Sequence, residues 1–209
     1  SGSGKSTIIR LLARAYDFSD GRIFIDGIDL NTIPSIDVRR RVGVVMQDFH
    51  IFEGSVLDNI RLGNPNISRP EAIHAARWVN AETFIMALPQ GFDTLLNERG
   101  QNLSQGQRQL LAFARVLASN PEILILDEAT ASVDTETEQQ IQSALATLTE
   151  GRTSILIAHR LQTIQEADRI VVLKHGRIRE VGTHDELMSL GGIYFTLTQR
   201  QFQDLRSIQ

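Results

Sequence analysis

The sequence contains no cysteine among its 209 residues, which excludes disulfide bonds and metal sites built on thiolates. It also has no excess of positive charge, and a formal net charge of −4 argues against a surface that coats nucleic acid. Long apolar runs are missing as well, because stretches such as 123–126 and 170–173 are far too short to cross a bilayer. What remains is the composition of one globular domain with a single buried core, acting from the aqueous side of any membrane it serves.

Short apolar runs rich in β-branched residues alternate with helical patterns along most of the chain. This alternation predicts an α/β fold with a largely parallel sheet flanked by helices. Between Gln47 and Leu103 the pattern becomes mostly helical. We therefore expect residues 1–47 and 120–209 to form an α/β core that ends in a helix, with residues 48–119 as an inserted helical subdomain. The predicted strands are 23–25, 42–46, 123–126, 154–158 and 170–173.

Capping boxes mark two helix starts. Ser68 stands three residues before Glu71, and Thr183 three residues before Glu186, so each hydroxyl can accept from the first turn while the acid bonds back. We expect the helix after Thr183 to run on amphipathically towards Leu205. The pair His175-Gly176 predicts the turn of a hairpin.

The first residues of the chain have the composition of a phosphate-binding loop. Glycines let the backbone turn tightly so that successive amides converge on phosphates, and the next helix points its positive end at the same place. The lysine would neutralise the β- and γ-phosphates, and the following serine would ligate Mg²⁺. The ordinary alternative is a glycine-rich turn that happens to carry a lysine. The candidate nucleotide-binding residues here are Gly2, Ser3, Gly4, Lys5, Ser6 and Thr7.

The full phosphate-loop pattern G-x-x-x-x-G-K-[ST] needs an additional glycine before the first residue of this chain. The strand that leads into such a loop is also missing. We therefore expect the chain to be a fragment of a longer protein.

Two adjacent carboxylates follow the apolar run 123–126. Ligands of open α/β sheets bind beyond the carboxyl ends of strands, so Asp127 suits a Mg²⁺ site, and Glu128 could polarise an attacking water as general base. The alternative is a pair of solvated acids at the end of a strand.

The segment 103–107, Leu-Ser-Gln-Gly-Gln, predicts a helix capped by Ser104 whose positive end could attract an anion. It resembles the signature motif L-S-G-G-Q of ATP-binding cassette proteins, and the motifs of that family follow one another in order along essentially the whole chain. The remaining matches are Lys5 and Ser6 in Walker A, Gln47 in the Q-loop, Asp127-Glu128 in Walker B, 131–134 in the D-loop, and His159 as the switch histidine.

The resemblance implies a P-loop ATPase that binds ATP and Mg²⁺ and hydrolyses ATP when two such domains pack head to tail. It implies that Gln47 senses Mg²⁺ and that His159 contacts the γ-phosphate and orients the water with Glu128. It also implies that the signature faces nucleotide held by the partner domain. The residues implied on that shared face are Ser104, Gly106, Gln107 and Asp134.

Several segments resemble the multidrug and lipid exporter branch of the family. Residues Glu98-Arg99-Gly100 resemble the loop that touches the coupling helices of a membrane domain, although an exposed ion pair is the ordinary alternative. The resemblance implies transmembrane partners near Gln47 and 98–100, and a place on the cytoplasmic face of a membrane. The competing hypothesis is a non-transport ATPase of chromosomes, DNA repair or ribosomes.

Gln105 departs from the family pattern, because it replaces the first glycine of the signature. This form occurs in halves of heterodimeric exporters that keep their own catalytic glutamate. Pairing with a different half-transporter and pairing with a second copy therefore both remain open.

Overall fold

The computed structural model describes residues 3–46, 50–127, 135–157 and 161–206. By their contacts the residues fall into two compact units, Ala13–Leu156 and Ser1–Leu12 with Ile157–Gln209. The predicted division into 1–47 with 120–209 and 48–119 stays a prediction.

The larger unit contains both strands and helices. Its strands are β1 (Phe24–Ile25), β2 (Ile28–Asp29), β3 (Val42–Val45), β4 (Gly54–Ser55), β5 (Leu95–Leu96), β6 (Ile123–Asp127) and β7 (Thr153–Ile157, whose last residue belongs to the smaller unit), and its helices are α2 (Ser35–Arg41), α3 (Val56–Arg61), α4 (Arg69–Trp78), α5 (Glu82–Met86), α6 (Gln105–Ala118) and α7 (Thr135–Thr149). Strands β3, β6 and β7 form a sheet in that order, and β3 runs parallel to β6 with Val42 opposite Ile123 and Val45 opposite Leu126. The predicted α/β architecture is therefore confirmed.

The helical segment between residues 56 and 118 belongs to the core of the larger unit. Leu110 and Leu111 of α6 are buried together with Ile60 of α3 and Ala76 of α4. The predicted capping box at the start of α4 is present, since the Ser68 amide donates to the Glu71 carboxylate over 2.7 Å.

The smaller unit contains α1 (Lys5–Leu12), α8 (Leu161–Gln165), the strands β8 (Ile170–Lys174) and β9 (Arg177–Gly182), α9 (His184–Leu190) and α10 (Ile193–Arg206). The hairpin predicted at His175-Gly176 joins β8 to β9. The capping box at Thr183 is also present.

The long final helix predicted after Thr183 is wrong, because the structure breaks it into α9 and α10. Gly191 ends α9 in the left-handed region, with φ of 65°, where glycine is favoured. The α10 helix then starts against β9, where the Glu180 carboxylate accepts from the amides of Ile193 and Tyr194 at 2.6 and 2.9 Å. Across the part of the chain that the structure describes, no helix combines the length and the apolarity needed to cross a bilayer.

Helix α6 approaches β3 so closely that only glycine fits at one position of the strand. A Cβ at Gly43 would lie 2.6 Å from Cγ1 of Val116 and 2.7 Å from Cγ of Pro121. Both distances are well inside van der Waals contact, so α6 and the strand would have to separate to admit a methyl group.

We expect Gly43→Ala to lower the free energy of unfolding by about 1–3 kcal/mol through overpacking. Urea unfolding of the wild type and the variant measures this loss. Adding Val116→Ala to Gly43→Ala removes one of the two clashing side chains and should recover part of the stability. A Gly43→Ala protein as stable as the wild type would contradict this account of the packing.

Candidate functional site

The described residues of the phosphate loop lie at the amino-terminal end of α1 in the smaller unit. Gly4 has φ of +96°, a conformation that favours glycine, and its carbonyl accepts the Ile8 amide at 3.1 Å to begin the helix. The Ser3 carbonyl accepts the Gly176 amide at 3.2 Å, which fastens the loop to the β8–β9 turn. The amides of the first turn of α1 are thus presented at a fixed loop, as an anion site requires.

The polar side chains of this loop lie around that helix end. Lys5 is half-buried, and its Nζ donates to Oγ of Ser3 over 3.0 Å. Ser6 and Thr7 are exposed on the first turn of α1. A cation and two hydroxyls beside a helix amino terminus form a set that suits a triphosphate.

Asp127 ends β6 in the larger unit, at the carboxyl edge of the sheet. Its side chain is half-buried, while Leu124, Ile125 and Leu126 before it are fully buried. The parallel register places Leu126 beside Val45, so the ends of β3 and β6 reach the same edge. The apolar strand therefore carries its carboxylate to the edge where ligands of such sheets bind.

The signature segment begins α6, as its sequence predicts. Oγ of Ser104 accepts the Gln107 amide at 3.2 Å, and Oε1 of Gln107 accepts the Ser104 amide at 3.0 Å, which completes a capping box. Gly106 is buried, whereas Ser104 and Gln105 are exposed. The positive end of this 14-residue helix therefore faces the surface of its own unit.

The exporter-like loop 98–100 forms a 3-10 turn next to the signature. Glu98 and Arg99 are exposed, and Arg99 adopts the left-handed conformation with φ of 63°. Arg108 of α6 donates to the carbonyls of Leu103 and Gly100 at 2.8 and 3.5 Å, which links the turn to the helix. Among the described ion pairs none joins Glu98 to Arg99, and both side chains are presented at the surface.

Sequence reasoning missed two polar residues that organise the segment after Gln47. Asn59 of α3 is 1% exposed and binds the backbone of Phe52 through both ends of its amide. Arg115 of α6 donates to the carbonyl of His50 over 2.8 Å. The available signal was a polar residue inside an apolar helical pattern, since a buried amide or guanidinium needs hydrogen-bond partners.

The described candidates fall in both units. Residues Ser3 to Thr7 belong to the smaller unit, and Ser104, Gly106, Gln107 and Asp127 belong to the larger one. The other predicted site residues lie outside the described residues, and these are Gly2, Gln47, Glu128, Asp134 and His159.

Mg²⁺ prefers hard oxygen ligands and few protein side chains beside the phosphates of its nucleotide, and each of two predicted ligands, taken by itself, is of that kind. Ser6 offers an exposed hydroxyl, and Asp127 offers a half-buried carboxylate. Within the described ranges no group of three or more histidine, aspartate and glutamate side chains could hold a metal.

Comparison with known proteins identifies relatives across almost the whole chain. "Uncharacterized ABC transporter ATP-binding protein YknV" of Bacillus subtilis (strain 168) is 52% identical over 202 residues, covering 97% of this chain and 33% of the relative. The "ATP-dependent lipid A-core flippase" of Syntrophus aciditrophicus (strain SB) is 48% identical over 204 residues, covering 98% of this chain and 34% of the relative. The chain thus spans about a third of the length of these relatives.

A solved structure described as "Structure of a bacterial Atm1-family ABC exporter with ATP bound" matches the fold with a TM-score of 0.88. It is 46% identical, and the match covers 96% of this chain and 35% of that one. A sequence model of the family described as ABC transporter matches residues 1–131, more than half of the chain. By these matches, and by the phosphate loop and signature helix described above, the chain belongs to the ABC transporter family, as an ATP-binding P-loop ATPase domain.

Proposed function

We propose that this chain is the ATP-hydrolysing domain of an ABC exporter, in which ATP-driven pairing of two such domains powers export across a membrane. The observation that carries the proposal is the presence in one chain of two helix amino termini that suit an anion, at Lys5 and at Ser104. The amino-terminal end of α6 is exposed at Ser104 and Gln105, as expected of a surface that receives a nucleotide from another domain. Relatives named as a lipid A-core flippase and a putative multidrug export protein support the export direction.

In the proposed reaction, Lys5 neutralises the β- and γ-phosphates of ATP, while the backbone of residues 2–4 cradles them. Ser6 and Asp127 would hold Mg²⁺, which supplies further neutralisation of phosphate charge when bound. Glu128 accepts the proton of the attacking water as general base, and His159 orients that water against the γ-phosphate. The assignments of Glu128 and His159 rest on the motif matches in the sequence.

We propose that the exposed end of α6 completes the nucleotide site of a second ATP-binding domain. Ser104, Gly106 and Gln107 would then face the partner's γ-phosphate, with Asp134 in the same interface. The second domain is either another copy of this chain or a different half. Gln105 bears on this choice, because its exposed side chain adds bulk at the position where the family has glycine.

We further propose that a membrane domain docks beside α3, which places the chain on the cytoplasmic face of its membrane. A cavity of about 430 Å³ is lined by apolar Phe52 and Leu62, which are 51% and 53% exposed, together with the acids Glu53 and Asp58. Hydrogen bonds from Ser55 hold the pKa of Asp58 below its ordinary value, so the cavity keeps a negative charge at neutral pH. A short helix with an apolar and a basic side chain has the matching chemistry.

Hydrolysis that needs two chains predicts a distinctive dependence on concentration. While dimers are the minority, we expect the ATPase activity per mole of chain to rise in proportion to chain concentration. Steady-state assays over a hundredfold range of concentration measure this. Glu128→Gln is the control, because loss of the general base should slow turnover by about 10²–10⁴ while ATP binding persists.

Three outcomes of that assay are informative. A rise with concentration identifies pairing between copies of this chain. Activity that appears only when a different half-transporter is added identifies a heteromeric pair. Constant specific activity down to a strict monomer would contradict the two-domain site.

The role of the α6 end can be separated from its contribution to stability. Ser104→Ala and Ser68→Ala each remove the side chain of a capping box and should each cost about 1 kcal/mol of stability. Only Ser104→Ala should also slow ATP turnover, by about 10², because only Ser104 is proposed to face a γ-phosphate. Equal turnover by the two variants would remove Ser104 from the site.

The docking surface can be tested by cysteine labelling, because this chain has no cysteine of its own. Leu62→Cys should react with a thiol reagent about tenfold more slowly when the chain is joined to a membrane domain than when it is alone, since the interface excludes the reagent. Leu190→Cys is the matched control, because Leu190 is 64% exposed on α9. Unchanged labelling at residue 62, or equal slowing at both positions, would count against docking at this cavity.

A further inference from the structure

Residues 50–52 follow residues 47–49, which lie outside the described part of the chain. Each backbone carbonyl of residues 50–52 accepts a hydrogen bond from another part of the larger unit. The His50 carbonyl accepts from Arg115 over 2.8 Å, and the Phe52 carbonyl accepts from Asn59 over 2.8 Å. Between them, the Ile51 carbonyl accepts the Arg99 amide over 3.3 Å. A loop with all three consecutive carbonyls engaged moves with the elements that hold it.

Arg115 makes the largest share of these connections from a single side chain. Besides the His50 carbonyl, it donates through Nε to the Asn59 carbonyl over 2.8 Å and through a terminal nitrogen to Asn59 Oδ1 over 3.2 Å. Its guanidinium carbon also lies 5.6 Å from the centre of the Phe52 ring. Burial lowers the pKa of Arg115, yet arginine remains charged at neutral pH, so these are charge-assisted hydrogen bonds.

Asn59 of α3 makes further hydrogen bonds to the same loop. Its Oδ1 accepts the Phe52 amide at 2.9 Å, and its Nδ2 donates to the Phe52 carbonyl and to the Ser55 carbonyl at 2.8 and 3.1 Å. The same Oδ1 accepts from Arg115. Asn59 therefore joins Arg115 to the loop in one hydrogen-bonded network.

Arg115 and the signature stand on the same helix. Eleven residues separate it from Ser104, or about 16 Å of continuous α-helix. Residues 99 and 100 form a second connection between α6 and the loop. Arg108 of α6 donates to the Gly100 carbonyl, and the Arg99 amide donates to the Ile51 carbonyl. Gly100 lies so close that a Cβ there would come within 3.1 Å of the Ile51 side chain. These contacts connect the signature end of α6 to residues 50–52 by two routes.

We propose that Arg115 is a positioning residue that makes the segment leading out of Gln47 move together with the signature end of α6. The proposal deepens the proposed function and rests on it, since Ser104 is assigned there to the partner's nucleotide and the family resemblance implies that Gln47 senses Mg²⁺. Gln47 stands three residues before His50, so the chain between them spans at most about 10 Å. Arg115 thereby links the signature end of α6 to residues 50–52, which follow Gln47 closely in the sequence.

A merely structural arginine offers the matched control. Arg152 is also partly buried in the larger unit, and it donates to Pro121 and Leu148 carbonyls at 3.1 Å and to Asn120 Oδ1 at 3.2 Å. It contacts neither residues 50–52 nor α6 through these bonds. Lysine at either position keeps the charge but loses the planar fork that reaches several acceptors.

The test compares Arg115→Lys, Arg152→Lys and the wild type by hydrogen exchange with mass spectrometry and by ATPase kinetics. In Arg115→Lys we expect the peptide containing the Phe52 amide to exchange about tenfold faster, because the hydrogen bonds from Arg115 to the His50 carbonyl and to Asn59 are lost. We also expect kcat to fall about tenfold while KM for ATP stays within about twofold, since Lys5 and its loop are unchanged. In Arg152→Lys neither the exchange of that peptide nor kcat should change.

Two results would overturn the proposal. One is unchanged exchange around Phe52 in Arg115→Lys, and the other is a loss of kcat in both arginine variants in proportion to their loss of Tm. Should Arg115→Lys fail to fold, Asn59→Asp removes the donor to the Phe52 and Ser55 carbonyls and must give the same faster exchange. Absence of ATP turnover in the wild type would contradict the proposed function instead, whereas the exchange comparison needs no turnover.

Discussion

Close packing of α6 on strand β3 is the contact on which the larger unit depends. Gly43 supplies the space for Val116, and the buried apolar face of α6 then fills the core between the sheet and helices α3 and α4. Because a core is packed as densely as a crystal, the position and direction of α6 are fixed by this contact. The signature at one end of the helix and Arg115 near the other are therefore both set by one packing arrangement.

The proposed nucleotide chemistry depends on helix amino termini that suit anions. Both proposed nucleotide contacts use the amino terminus of a helix, with Gly4 shaping the approach to α1 and the Ser104–Gln107 capping box organising α6. Such ends offer partial positive charge without mobile side chains, so little reorganisation is needed when a phosphate arrives. The chain as a whole carries a net charge of −4, and attraction for phosphate therefore comes from local geometry rather than from global charge.

Predictions from sequence succeeded where the controlling interactions are local. The capping boxes at Ser68 and Thr183 and the helix cap at Ser104 involve residues three apart, and each was present where the pattern predicted it. The final helix failed for the opposite reason. Its amphipathic pattern continued through Gly191, but β9 supplied Glu180 as a cap for a new helix, a long-range contact that periodicity does not contain.

By itself the sequence determined the fold class and the ABC transporter family, and its short local patterns predict which residues form the phosphate loop, the signature and Walker B. The tertiary structure alone decided that Asn59 and Arg115 join α3 and α6 to residues 50–52, since these residues lie 56 positions apart in the chain. Their pairing depends on how two helices pack, and packing is a property of the whole core rather than of any segment.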